Sequence, residues 1–427
     1  MFGFANFLLL ALFAAAVFDL IFALARGGGL RGALHGLWNT PHLLFGQQLA
    51  EWRLQLGRIL FAAGLAAYEI SVVFCNSMAR QNWAWVQGVM SPVLEWLAFL
   101  CFGAKILFGT RYTWRELLAG GALYFIARWV YFNSQNIWWI GIVVAVLAAK
   151  DVPLRRPLQV YFASGCAAMA VVLALHFAGI VAPDLTSERM GALRGTYGYG
   201  HPNTFGGLVF GLVLAYALLR AQKVRWVDCL LVFAVGVFLL VGPASRSAAL
   251  CTLALAVGLV FCRLRAGHSV PRWWPGTCAG MVGLTAAVSY LLPLLVIKVG
   301  PWNNDIGPAW LAKLDSLLTC RISLTWMAYR LLDVKIAGQV FNWPTVDNSF
   351  AFALFQFGPV VAALLGILFA AALLGHAKQG RRVEVCCLFA MLAYAYMEVQ
   401  PFHLTTNPTA LLPVSYTHLT LPTNSRV

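Results

Sequence analysis

Residues 4–25 read FANFLLLALFAAAVFDLIFALA. A helix needs ~20 consecutive apolar residues to cross the hydrocarbon core of a bilayer, and this stretch has that length. Ala-Arg-Gly-Gly-Gly follows it, without a small-residue cleavage site, so the run reads as a retained span rather than a signal peptide. The rest of the chain repeats the pattern. About twelve apolar runs are expected, near 4–25, 57–75, 89–108, 116–132, 137–149, 158–182, 203–219, 229–242, 248–262, 276–297, 348–374 and 385–402. The fourth, fifth and eighth are short enough to be tilted, broken or merged.

Composition agrees with an all-α, polytopic membrane protein. Of 427 residues, 61% are hydrophobic and 11% charged, and the mean hydropathy is +0.77. Such a chain has too little polar surface to cover a water-soluble globule. That excludes an ordinary cytosolic enzyme, a nucleic-acid-binding module and a disordered protein. The formal net charge of +15 therefore points to basic loops held on the cytoplasmic side rather than to nucleic acid. The ten cysteines sit mostly inside apolar runs and form no CxxC pair, so neither a disulfide framework nor a structural zinc site is expected.

The basic residues between runs fall into two alternating sets. Nineteen lie on one side, from Arg26, Arg31, Arg53 and Arg58 through Lys105, Arg111, Arg115, Lys150, Arg155 and Arg156 to Lys378, Arg381 and Arg382. Ten lie on the other, and several of those belong to one long connection, which counts little toward topology. The first set is assigned to the cytoplasm, with the N-terminus and residues 298–347 outside. Residues 1–414 read as a single integral-membrane domain. Residues 415–427 look like a translated adapter and are expected to be non-native. No internal repeat is found, which weakens a secondary-transporter reading.

Charges within a bilayer are costly and are usually paired or functional. Glu69, Glu95, Arg128 and Glu398 all fall within roughly 6–9 Å of the outer ends of their runs, at ~1.5 Å rise per residue. They suggest either a polar cavity open to the outside or an Arg128–Glu pair locking helices together. The segment Arg194-Gly-Thr-Tyr-Gly-Tyr-Gly-His201-Pro-Asn203-Thr-Phe-Gly206 sets Arg and His among glycines before a span. Pro202 suits a first helical turn, Asn203 or Thr204 could cap it, and free N–H groups there favour an anion. Arg246 stands between two serines without a nearby acid. In the long connection, Leu317, Leu324 and Leu331 recur every seven residues, which suits a surface helix. Arg330 has Asp333 three residues on, whereas Arg321 has no acid at three or four. Asp347 and Asn348 are natural N-caps for the next span. Trp302, Trp310, Trp326 and Trp343 suit either sugar stacking or interfacial anchoring. Three arginines without local acids, Arg194, Arg246 and Arg321, suggest an anionic ligand, since guanidinium holds phosphate oxygens bidentately. No DxD-type cluster for a divalent metal occurs in the outer loops.

At these residues the chain resembles the bacterial polysaccharide polymerases of the O-antigen polymerase and ligase superfamily. Arg194 to Gly206 is similar to the family's Arg…His-Pro-Asn segment, and Ser245-Arg246-Ser247 to its Ser-Arg-Ser turn. Arg321 with Gly338 resembles the outer-loop Arg and Gly. Asp347-Asn-Ser-Phe with Phe357-Gly358, then Glu398 and Asn407-Pro, resemble the later motifs. The likeness covers roughly 190–410 and departs at Cys320 and Phe350.

The resemblance implies a glycosyltransferase of the bacterial cytoplasmic membrane with an outward-facing site. Such enzymes move a glycan from undecaprenyl diphosphate to the terminal sugar of another lipid-linked unit, with no cofactor or metal. Its partners would be the lipid-linked oligosaccharide, the lipid bilayer, and a flippase and chain-length regulator. Arg194, Arg246 and Arg321 would stabilise the leaving diphosphate. His201 or Glu398 would be the base. Asn203, Asp347, Asn348, Glu69, Glu95 and Arg128 would support them. A ligase, transferring finished glycan to a lipid or protein acceptor, is the alternative within the superfamily, but it is expected to carry a His in the long outer loop, and 298–347 has none. A lipid-linked glycan flippase or transporter is the alternative from another class.

Overall fold

The computed structural model describes residues 2–25, 29–45, 51–181, 187–189, 192–296 and 308–412. The chain is all-α, 77% helical. The first half runs α1 (Phe2–Ala25), α2 (Leu30–Asn39), α3 (Glu51–Cys75), α4 (Ala79–Asn82), α5 (Ser91–Phe108), α6 (Trp114–Ser134), α7 (Ile137–Ala148) and α8 (Arg155–Phe177). The second runs α9 (Pro202–Arg220), α10 (Trp226–Val241), α11 (Arg246–Leu264), α12 (Trp274–Leu291), α13 (Ala309–Leu317), α14 (Arg321–Leu331), α15 (Ser349–Phe352), α16 (Pro359–Lys378) and α17 (Arg382–Met397). Two small antiparallel pairs join loops: β1 (His42–Leu43) with β2 (Arg111–Tyr112), and β3 (Ser187–Arg189) with β4 (Ala192–Arg194).

Among the described residues, eight helices are long and apolar enough to cross a membrane. They include α1, α3, α8, α9, α11 and α16, and α5 and α12 with an adjoining turn each. The other expected runs fall on α6, α7, α10 and α17, which are shorter or less apolar; α6 carries Arg115, Glu116 and Arg128. Large apolar side chains on the spans face outward, as at Phe13, Val257 and Ile367. That distribution suits contact with lipid tails rather than water.

The chain divides into two compact units, one of residues 1–129, 139–183 and 410–427, the other of 130–138 and 184–409. In the first, α3 packs on α5 and α8. Gly57 makes the α3–α5 contact possible, because a Cβ there would lie 2.8 Å from the Gly109 carbonyl oxygen. Lys105 is fully buried at the end of α5 and donates to Gly109 O, Thr110 Oγ1 and Lys150 O at 2.9, 2.6 and 2.7 Å. In the second unit, α11 packs on α9, α10 and α17, and α12 packs on α16.

Three expectations are corrected here. The run 348–374 is not one helix: α15 passes into a π turn (Ala353–Phe357), and Gly358, at φ 87°, breaks the chain before Pro359 opens α16. The run 385–402 stops being helical at Met397, leaving Glu398 extended beyond the helix end. The seven-residue leucine spacing does not mark one helix either. Thr319 and Cys320 both take positive φ, dividing the segment into α13 and α14, and Leu317 and Leu331 are exposed. The buried positions are instead Leu311 and Ile322, packed with Val296 and partly buried Trp326. Buried Asp315 holds the turn between the two helices by accepting from the Ile322 and Ser323 backbone at 2.7 and 3.2 Å. Residues 297–307 and the expected non-native tail lie outside the described residues.

Candidate functional site

The site lies within the second unit and is built on helix ends. Arg321 is the first residue of α14, and the Asp315 cap fixes the direction in which that helix starts. Asn203 and Ser247 lie in the first turns of α9 and α11. Glu398 follows the last residue of α17. These four meet at one atom. Glu398 Oε1 accepts from Arg321 Nη2 at 2.6 Å, Ser247 Oγ at 2.8 Å and Asn203 Nδ2 at 2.9 Å. Among the described residues no hydrogen bond reaches its other oxygen, Oε2. The Glu398 backbone carbonyl accepts from Ser349 Oγ at 2.5 Å.

Arg194 extends the network. Its Nη2 donates to Asn203 Oδ1 at 2.9 Å and to the Ala244 carbonyl at 3.2 Å, and the side chain is buried. Ser245 Oγ also reaches Asn203 Oδ1, at 3.4 Å. Asn203 thus bridges Arg194 to Glu398 through both ends of its amide. Two glycines admit this geometry. A Cβ on Gly206 would lie 2.3 Å from Ser245 Oγ, and one on Gly207 would lie 1.8 Å from Gln400 Oε1. Gln400 in turn donates to the Asn203 carbonyl at 3.2 Å and accepts from Tyr394 at 2.7 Å.

Arg321 is not the unpaired arginine its local sequence implies. It forms a buried ion pair with Glu398, side chains 8% and 6% exposed, across 77 residues of sequence. Its remaining N–H groups reach the Met397 and Leu318 carbonyls, Thr319 Oγ1 and Ser247 Oγ. All five donors of the guanidinium are therefore directed into the protein. Arg246, by contrast, is exposed at the first turn of α11. Arg330 stacks over Trp326 at 5.5 Å, and the expected pair with Asp333 does not form. Trp310 and Trp343 are exposed; Trp302 lies outside the described residues.

The remaining candidates divide between local structure and the other unit. His201 is the N-cap of α9, its Nδ1 accepting from the Asn203 N–H at 3.1 Å, and its side chain is exposed. Asn348, rather than Asp347, caps α15, accepting from Phe350 and Ala351 N–H while donating to Ser289. Asp347 is half-buried, near enough for its charge to act on Glu398. Glu69, Glu95 and Arg128 belong to the first unit. Glu69 is buried, Glu95 is half-buried, and Arg128 Nε donates to Asn6 Oδ1 at 2.8 Å. Ser247, Ser349 and Gln400 were missed as site residues. Ser247 and Ser349 stand inside motifs that carry the resemblance but were given no role there, and an amide such as Gln400 carries no signal of its own.

No family model, no curated protein and no solved structure matches this chain.

Proposed function

We propose that the protein is a metal-independent glycosyltransferase of the bacterial cytoplasmic membrane that polymerises undecaprenyl-diphosphate-linked oligosaccharide repeat units on the outer face. In this reading α6, α7, α10 and α17 cross the bilayer with the other eight, giving about twelve spans. The observation that carries the proposal is the convergence of three helix N-termini and buried Arg321 on one carboxylate, with buried Arg194 joined to it through Asn203. Helix N-termini and guanidinium groups both favour negative charge. Glu398 and the nearby Asp347 do not together offset two guanidinium groups and three helix ends, so the surroundings favour a further anion.

The acceptor sugar hydroxyl attacks the donor's anomeric carbon. The bond between that carbon and the diphosphate oxygen breaks, and the lipid diphosphate leaves with the electron pair. Glu398 takes the hydroxyl proton at Oε2, while Arg321, Ser247 and Asn203 hold Oε1 in place. Exposed Arg246 contacts the leaving diphosphate, backed by Arg194. Stabilising charge that develops only in the transition state is usually the largest catalytic term. Arg321 is thereby a positioning residue for Glu398. A flippase supplying the donor and a chain-length regulator are the partners this activity requires.

The test is turnover of undecaprenyl-diphosphate oligosaccharide from the source organism by purified protein in nanodiscs with EDTA present. A ladder of repeat-unit multiples is expected, lost in Arg246→Ala and Glu398→Gln. Transfer of a finished glycan to an added acceptor without a ladder would mean a ligase. No turnover by folded protein with its matched donor sinks the enzymatic reading.

A further inference from the structure

In the first unit a cavity of about 300 Å³ opens between the early turns of α3 and the start of α8. Its polar lining is Arg58, Arg156 and Gln159, and its apolar lining includes Ile59, Ala62 and Val160. The Arg58 Nε atom is buried without a hydrogen-bond partner. Among the described residues, Arg58, Arg155 and Arg156 make no side-chain hydrogen bond or ion pair. The acids nearby are already committed. Asp151 accepts from the Arg111 backbone at 2.9 Å and pairs with its guanidinium at 3.6 Å, and Glu116 pairs with Lys150 at 2.5 Å. The first turn of α8 contains no acid, although it carries Arg155 and Arg156. Two guanidinium groups therefore face one cavity with no protein anion to balance them, and an apolar strip runs from it along two helices that reach span length.

We infer that this cavity binds the phosphodiester headgroup of an anionic phospholipid, with Arg58 and Arg156 on the phosphate and one acyl chain along Ile59, Ala62 and Val160. Guanidinium forks match phosphate oxygens, and basic pockets between spanning helices on the cytoplasmic side suit anionic headgroups. The basic residues concerned belong to the set that assigns this end to the cytoplasm. The site is separate from the Glu398 network and stands whether or not the chain polymerises glycans.

Native mass spectrometry and thermal unfolding of the full chain in a nonionic detergent decide the matter. Phosphatidylglycerol should bind at least tenfold tighter than phosphatidylcholine and raise the unfolding midpoint, with inorganic phosphate giving neither effect. Arg58→Ala with Arg156→Ala should reduce phosphatidylglycerol binding to the phosphatidylcholine level, whereas Arg263→Ala with Arg265→Ala should leave it unchanged. Val160→Trp keeps the charges but fills the cavity, and should weaken binding severalfold. Equal affinity for the two lipids overturns the proposal, as does unaltered binding by a monodisperse double-arginine variant. Stabilisation by inorganic phosphate equal to that by the lipid would mean a free-phosphate site instead. If the double variant does not fold, unchanged binding by Val160→Trp overturns the proposal by itself.

Discussion

Glu398 and Arg321 illustrate how differently one pair behaves when whole and when halved. Removing one partner of a buried ion pair typically costs about 3–5 kcal/mol, because the other charge is left uncompensated, while replacing both can be neutral. Arg321→Ala should therefore lower the unfolding midpoint markedly, and Arg321→Met with Glu398→Gln should recover most of it. Neither variant should turn over donor, which separates stability from chemistry; a double variant as unstable as the single would contradict this account. Asn203→Asp loses the donor to Glu398 and sets a second carboxylate beside it, so it should be less stable than Asn203→Ala in the same assay. Arg194, Arg321 and Glu398 were legible as candidates because charge stands out in an apolar chain, and Asn203 because it follows His201-Pro202 at the start of a span. Their pairing was not. The rule that looks for an acid three or four residues away sees only one helix, whereas this acid lies beyond the end of another.

The element that hydropathy reads least well is the stretch from α14 to α16. Apolar content continues across Phe357-Gly358-Pro359, so nothing in hydropathy announces a break. The close fit explains it. A Cβ on Gly358 would lie 2.0 Å from the Ile336 carbonyl oxygen, and one on Gly338 would lie 2.0 Å from the Gln356 carbonyl oxygen. Both glycines have positive φ, at 87° and 74°, so each meets a backbone wall in a conformation other residues avoid. Gly358→Ala should separate the two segments of this clasp, and limited proteolysis should then cut within 332–348 faster than in the wild type. The β1–β2 connection gives a pH test. His42 lies 3.4 Å from Asp19. Burial works against the imidazolium, but Asp19 and the Thr40 carbonyl outweigh it and leave His42 above its ordinary value of 6.5. Its stabilisation is complete below that value and is lost as pH rises through the raised one. The unfolding midpoint should fall across that window, and His42→Phe should flatten the fall.

Taken as one object, the chain was read most securely where long periodic apolar runs left little choice, and each expected run meets a helix. Its class was legible from composition because a bilayer demands helices whose backbone groups are satisfied internally. The breaks were not, since backbone fit between distant segments decides them. One of those breaks has an experimental use. Of the ten thiols, Cys320 is the exposed one, while the rest are buried or half-buried, so a charged maleimide that cannot permeate lipid should label native protein there first. Cells or oriented vesicles thus contain an inherent reporter of sidedness, one residue before Arg321. Labelling from the exterior, abolished in Cys320→Ser, would place the Glu398 network within reach of substrates delivered outside the cell; labelling only after the membrane is opened would reverse the orientation.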